Sequence, residues 1–281
     1  MTPFGERLAD AMDRHGPLCA GIDPHPPLLA SWGLSDDVTG LRGFAEICVE
    51  AFGGHVAAVK PQAAFFERHG SAGMAVLEEV IAGLGAAGTL CIVDAKRGDI
   101  GSTMAAYADA FAGAASPLAG DAVTASPYLG FGSLDPLLDL AAANGKGVFV
   151  LALTSNPEGP GVQHARTAGG EPVAAGIVAG AGRRNAAAGR LGDVGLVVGA
   201  TVGTAVQDLG IDLAASKAPL LAPGVGAQGA TADDLRRVFG DARRQVLAAS
   251  SREVLGAGPD PAAVRAAAHR AAAACAHALG R

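Results

Sequence analysis

Short runs of consecutive apolar residues recur along the chain, separated by stretches with helical spacing or clustered glycine. Eight of these runs are rich in strand-forming residues: Leu18–Asp23, His55–Lys60, Thr89–Asp94, Ala122–Thr124, Gly147–Thr154, Val194–Gly199, Pro219–Ala222 and Val246–Ser250. Several, such as VFVLALT and GLVVGA, are apolar without alternation. Strands read this way when both faces are buried, as in a parallel sheet covered by helices. The repetition predicts an α/β fold, a closed (β/α)8 TIM barrel in one domain over residues 1–281, rather than an open doubly wound sheet. Leu41–Phe52 and Ala72–Ala87 carry helical periodicity with acidic residues on one face. A last helix is punctuated by Asp260 as N-cap, Pro261 as first residue and Gly280 as stop. Two long connections stand out. Pro24–Thr39 reads as a surface excursion, and the Gly- and Pro-rich Asn156–Gly170 as a loop of the length that lids have.

Composition agrees with one barrel. The chain has 281 residues, half of them apolar and 17% charged, enough for a core that needs no disulfide or structural metal. The 41 glycines suit a fold with many tight turns between strands and helices. The formal charge is −6 and no block of like charges occurs, so there is no electrostatic footprint for nucleic acid or a membrane surface. An anionic ligand would need a local cluster of donors. Cys19, Cys48, Cys91 and Cys275 form no CxxC pair and read as buried, reduced thiols of a cytoplasmic protein. The N-terminal segment has acidic charge and no apolar signal core, and no apolar run is long enough to span a bilayer.

In a barrel of this kind, chemistry sits where strands end and loops begin. The predicted strands end in Asp23, in Lys60, in Asp94 followed by Lys96 and Asp99, in Thr154-Ser155-Asn156, in Pro223-Gly224, and in Ser250-Ser251-Arg252. Only four lysines occur in the chain, and two of them, Lys60 and Lys96, fall at strand ends beside acids. A single Asp–Lys pair would read as structural. Two lysines alternating with Asp23, Asp94 and Asp99 at converging ends point to catalysis. Asp94 and Lys96 share a face if the strand continues for two residues. An ammonium held between carboxylates stays protonated and is a directed proton source. Asp94 would crowd an anionic substrate carboxylate, and departure of CO2 would relieve that repulsion. Lys96 would stabilise and protonate the carbanion left behind. This chemistry requires no metal and no electron-sink cofactor, and neither is expected.

A second cluster supplies the anion site. The Gly224–Gly229 turn follows the seventh predicted strand, and Arg252 follows the eighth. Backbone N–H groups near glycine approach an anion closely, Arg252 offers a bidentate fork, and Gln228 adds an amide donor.

Asp94-x-Lys96-x-x-Asp99 followed by Ile100 and Thr103 resembles the core motif of orotidine 5′-monophosphate decarboxylases. The form RGDIGST is similar to that of their longer bacterial subgroup. Asp23 in CAGIDPH, Lys60 in AAVKPQAAFFE, Thr154-Ser155-Asn156-Pro157 and APGVGAQG follow in the order of that family, over residues 4–255. The resemblance implies removal of CO2 from a pyrimidine nucleotide by a homodimer with shared active sites. Asp23 and Lys60 would hold ribose hydroxyls, with Lys60 also paired to Asp94. Asp94 would face the substrate carboxylate, and Lys96 would protonate C6. Asp99, Ile100 and Thr103 would reach into the partner subunit's site. Ser155 would bind the pyrimidine ring. Pro223, Gln228, Ser251 and Arg252 would form the 5′-phosphate end. The chain departs from the shorter enzymes at Ser251, where glycine is common, at Asn156, and in the longer loop that follows.

Other residues carry weaker claims. The seven histidines read as structural or surface groups, with His25 a candidate for the mouth of the site. Tyr128 is a candidate border residue. Lys146, Lys217, Arg183 and Arg184 read as solvated charges. Three rival functions remain at this point. One is a Mg2+-dependent sugar-phosphate decarboxylase of the same barrel superfamily. Another is a Schiff-base aldolase, disfavoured because Lys96 lies between acids. The last is a phosphate-binding barrel without turnover.

Overall fold

The computed structural model describes residues 2–225 and 230–281. Its eight strands are β1 Leu18–Ile22, β2 Ala58–Pro61, β3 Leu90–Arg97, β4 Ala122–Ala125, β5 Gly147–Leu153, β6 Val194–Val198, β7 Leu220–Pro223 and β8 Val246–Ser250. They pair in sequence order, all in parallel, and β8 closes on β1 through Leu18↔Ala248 and Ala20↔Ser250. The expected (β/α)8 barrel is therefore present. His55 lies outside β2, in a turn after the helix Val38–Phe52, where its N–H donates to the Phe52 carbonyl.

The alternating direction of side chains along a strand divides the core in two. Leu18, Ala20 and Ile22 of β1, Val148 and Val150 of β5 and their equivalents pack outward against the helices. Cys19, Ile92, Ala122, Phe149, Val197, Leu221 and Leu247 pack inward. The helix Phe4–His15 closes the barrel floor with Phe4, which is fully buried and meets Phe149 edge-on at 5.9 Å between ring centroids. Gly147 leaves the space that Phe4 fills, since a Cβ there would stand 2.2 Å from its ring. With the floor plugged, the interior opens at the carboxyl ends of the strands.

The terminal helix Pro261–Leu279 is as punctuated as expected: Asp260 accepts from the N–H groups of Ala262 and Ala263, and Gly280 ends it in the left-handed region. The Pro24–Thr39 excursion is more structured than expected. It contains the helix Pro26–Ser31 and is anchored by Trp32, which is buried against Phe44 and donates from Nε1 to the Leu255 carbonyl at 3.1 Å. The Asn156–Gly170 loop holds the short helix Pro160–Gln163, and a bridge between Arg166 and Pro172 closes it. Two lysines correct the solvated reading. Lys146 is half-buried and donates to the carbonyls of Gly120 at 2.6 Å and Ala119 at 3.1 Å, and half-buried Lys217 donates to the Ala188 carbonyl at 2.8 Å. Arg184 is exposed but bridges to Asp135 and Asp139, while Arg183 is exposed as expected. All four cysteines are buried and unpaired with one another.

Candidate active site

The inward positions of the barrel change character along each strand. Cys19 gives way to Gly21 and then Asp23, Ala58 to Lys60, Ile92 to Asp94, and Ala122 to Thr124. The lower layers are apolar, and the top layer is polar. Asp23, Lys60, Asp94, Lys96 and Thr124 accordingly line one cavity of about 260 Å³, with Gln62, Pro223 and Ser251 around it. A wider cavity of about 670 Å³ adjoins it, lined by Asp23, His25, Ser251 and Arg252. Asp23 and Ser251 belong to both.

Asp94 is the hub. Its Oδ2 accepts from Lys60 Nζ at 2.7 Å, and its Oδ1 accepts from Lys96 Nζ at 2.5 Å and from Thr124 Oγ1 at 2.8 Å. The Asp94 and Lys60 side chains are 7% and 10% exposed, whereas that of Lys96 is 45% exposed and faces the opening. Burial alone would favour a neutral Asp94 carboxyl, but the ammonium groups of Lys60 and Lys96 prevail and hold its pKa at about 2. Burial likewise opposes the Lys60 charge, and Asp94 and Asp23 outweigh it, so that its pKa lies above the ordinary lysine value. The array is a buried, ionised carboxylate with an ammonium on each oxygen. Among the described residues, no three His, Cys, Asp or Glu side chains cluster closely enough to hold a metal ion.

Asp94 and Lys96 come together by a route that simple alternation does not describe. The register between β3 and β4 shifts, so that Val93 to Arg97 stands opposite only Val123 to Ala125. Within this bulge Lys96 takes a left-handed backbone conformation, φ 49°. Such a conformation is disfavoured for a residue with a Cβ, by about 1–2 kcal/mol, and bulges often re-aim a side chain next to a site. The Lys96 N–H turns to the Thr124 hydroxyl at 2.9 Å.

The remaining expected residues divide. Asp23 Oδ1 and Ser251 Oγ are buried with no partner among the described residues, both at the junction of the two cavities. Gly21 makes room for them, since a Cβ there would stand 2.7 Å from the Ser251 Cβ. Pro223 leads into Gly224, whose φ of 100° suits glycine, and Arg252 begins the short helix Arg252–Leu255. Gln228 and the rest of 226–229 lie outside the described residues. Ser155 follows β5, exposed, beside Gly199 of the neighbouring connection, and is not among the residues lining either cavity. Asp99, Ile100 and Thr103 also lie outside the cavity lining of their own chain: Thr103 is exposed, Ile100 is 60% exposed, and half-buried Asp99 accepts from the Ile100 N–H. His25 does line the mouth, stacked edge-on against Phe65. Tyr128 is 79% exposed and lines neither cavity, which corrects its reading as a border residue.

Two site residues escaped the sequence reading. In the sequence Thr124 reads only as a strand end. Gln62 lies two residues past Lys60; its Oε1 accepts from Lys60 Nζ at 3.4 Å, and its Nε2 donates to the Asp94 carbonyl at 3.3 Å. The same inward parity that marks Lys60 and Asp94 marks both, and that was the available signal.

Residues 16–267 match the model of the orotidine 5′-phosphate decarboxylase / HUMPS family. The chain is 62% identical over 279 residues to an orotidine 5′-phosphate decarboxylase of Salinispora arenicola, covering 99% of each sequence. It is 58% identical over 271 residues to that of Streptomyces coelicolor, covering 96% of each. A crystal structure from Streptomyces avermitilis, provisionally assigned to the same activity, superposes with a TM-score of 0.96 at 56% identity, covering 100% of this chain and 97% of that one.

Proposed function

The chain belongs to the orotidine 5′-phosphate decarboxylase family, and we propose that its reaction, conversion of orotidine 5′-monophosphate to UMP and CO2 in pyrimidine nucleotide synthesis, runs on the Lys60–Asp94–Lys96 array. The observation that carries this reading is the ionised Asp94 held between two lysines at the open end of a plugged barrel. The substrate carboxylate is drawn against Asp94, which the flanking ammonium groups keep negative. The C6–carboxylate bond breaks, CO2 leaves, and its electron pair stays on C6. Lys96 neutralises that charge and gives one N–H proton to C6, and water reprotonates the amine. The gain is specific to the transition state, because the repulsion between carboxylates disappears as CO2 departs.

Asp23 and Lys60 hold the ribose hydroxyls in this reading, and the buried Asp23 oxygen, without a partner among the described residues, supports it. Arg252, Ser251, Pro223 and Gln228 take the 5′-phosphate in the wider cavity, and Ser155 contacts the ring from the rim. Asp99, Ile100 and Thr103 serve a second copy's site in a homodimer; their outward placement, with a large apolar side chain at Ile100, favours this. Buried thiols suit a reducing cytoplasm. No helix among the described residues is long and apolar enough to cross a membrane.

The test is incubation of the purified chain with orotidine 5′-monophosphate in chelator, following loss of orotate absorbance and formation of UMP. Stoichiometric UMP supports the reading. Folded protein that yields none, or yields it only after Mg2+ is added, overturns it.

A further inference from the structure

We infer that Thr124 is a positioning residue for decarboxylation: its hydroxyl fixes both the carboxylate of Asp94 and the left-handed backbone of Lys96. The inference rests on the proposed role of that array. Thr124 stands on β4, is 1% exposed, and faces the cavity. Its hydroxyl has one proton to give and lone pairs to receive. The proton goes to Asp94 Oδ1 at 2.8 Å, and a lone pair accepts the Lys96 N–H at 2.9 Å. The two ends of the Asp94-Ala-Lys96 segment are thereby tied to one atom of the next strand.

The geometry around Lys96 gives this atom consequence. The bulge in β3 leaves the Lys96 N–H without a ladder partner, since the register with β4 resumes only at Arg97↔Ala125. Thr124 is the partner that the N–H finds. A lysine at φ 49° is held against its own preference, and relaxation to an ordinary extended conformation would swing Nζ away from Asp94. Thr124 also orients the carboxylate. With Oδ2 taken by Lys60, the Thr124 bond fixes which lone pair of Oδ1 faces Lys96. Proton transfer depends steeply on such placement, where an error of about 1 Å can cost on the order of 100-fold. The residue does not touch the reacting atoms; it acts through Asp94 and Lys96.

Thr124→Val keeps the branched shape and removes only the hydroxyl. Its kcat is expected to fall roughly 10- to 100-fold, the loss of one hydrogen bond to a charged group. KM and the UMP dissociation constant should stay within about threefold, because Asp23 and Arg252 are untouched. Thr124→Ser restores the hydroxyl without the methyl and should recover most of the lost kcat. Circular dichroism and thermal melting accompany each variant, and Thr124→Ala against Thr124→Ser makes the same comparison if the valine variant does not fold. Near-normal kcat in the hydroxyl-free variants overturns the inference. So does a serine variant as slow as them, which would show that the methyl matters instead, or UMP binding lost in step with kcat. The unsubstituted chain is assayed in parallel: if it forms no UMP, the proposed reaction fails, whereas an active parent with an equally active Thr124→Val chain refutes the role of Thr124 alone.

Discussion

Replacing Asp94 by Asn keeps the side-chain shape but strips the charge from the centre of the array. Lys60 then becomes a buried ammonium without its 2.7 Å partner, and Lys96 and Thr124 lose the oxygen charge they share. Burial is the strongest single influence on Lys60, Asp94 the next and Asp23 a lesser one. With Asp94 gone, burial prevails and the Lys60 pKa drops below its ordinary value. Breaking a buried pair in this way costs about 3–5 kcal/mol, a large share of the roughly 5–15 kcal/mol that holds a domain folded. The pH dependence also changes sign. In the parent, the Lys60 pKa is raised on folding, so its contribution is complete below the unfolded value of about 10.4 and is lost as pH rises through the folded one. In the variant the folded pKa is the lower, so stability rises with pH between it and about 10.4. Seen from Asp94, the same pairing appears as a lowered carboxyl pKa. That carboxyl shifts from 3.8 to about 2 and stabilises the parent above 3.8 by about 2 kcal/mol, an effect lost as pH falls through about 2. Urea unfolding of both proteins at about pH 7 and about pH 9 measures this. The expected result is a lower midpoint for Asp94→Asn at neutral pH and a smaller gap at the higher pH. Equal stability at neutral pH, or a gap that does not narrow, would refute the electrostatic reasoning.

Three further predictions concern the substrate phosphate, the second copy and the buried thiols. Arg252→Gln should lower kcat/KM for orotidine 5′-monophosphate roughly 10- to 100-fold through lost phosphate contacts, and steady-state kinetics at several ionic strengths will show whether it does. Lys96→Ala and Asp99→Asn chains, each inactive alone, should regain about a quarter of parental activity when refolded as an equal mixture, because a mixed dimer rebuilds one complete site. Dimers confirmed by sedimentation that stay inactive on mixing would argue against a shared site. Oxidation should leave the folded enzyme untouched, since burial raises the Cys19 pKa to about 12 and also raises those of Cys48 and Cys91; thiol titration before and after denaturation checks it.

The barrel was legible because its strands are continuous apolar runs, and buried parallel strands leave little freedom in how such runs fold. VFVLALT became β5 and GLVVGA became β6 for that reason. Lys60 and Asp94 were legible as rare charges at the ends of apolar strands. The bulge at Lys96 was not, because a two-residue register shift depends on the pairing of β3 with β4, a non-local property. Thr124 and Gln62 were missed because a threonine in a strand and a glutamine after one are unremarkable until the opposing side chain is known. Lys146 looked solvated because its partners are backbone carbonyls at Ala119 and Gly120, more than 25 residues away, and no side-chain pattern records them. The excursion at Pro24–Thr39 hid its anchor for the same reason: Trp32 bonds to Leu255, at the other end of the chain.

In the proposed reaction, Lys96, held by Asp94, delivers the proton that completes decarboxylation. Lys96→Ala removes that proton source, and single-turnover formation of UMP is measured beside the dissociation constant for UMP. Product should still bind within about tenfold of the parent, while turnover is lost by a factor on the order of 1,000 or more. A Lys96→Ala chain that forms UMP at close to the parental rate would contradict this role of Lys96, whatever the state of the rest of the site.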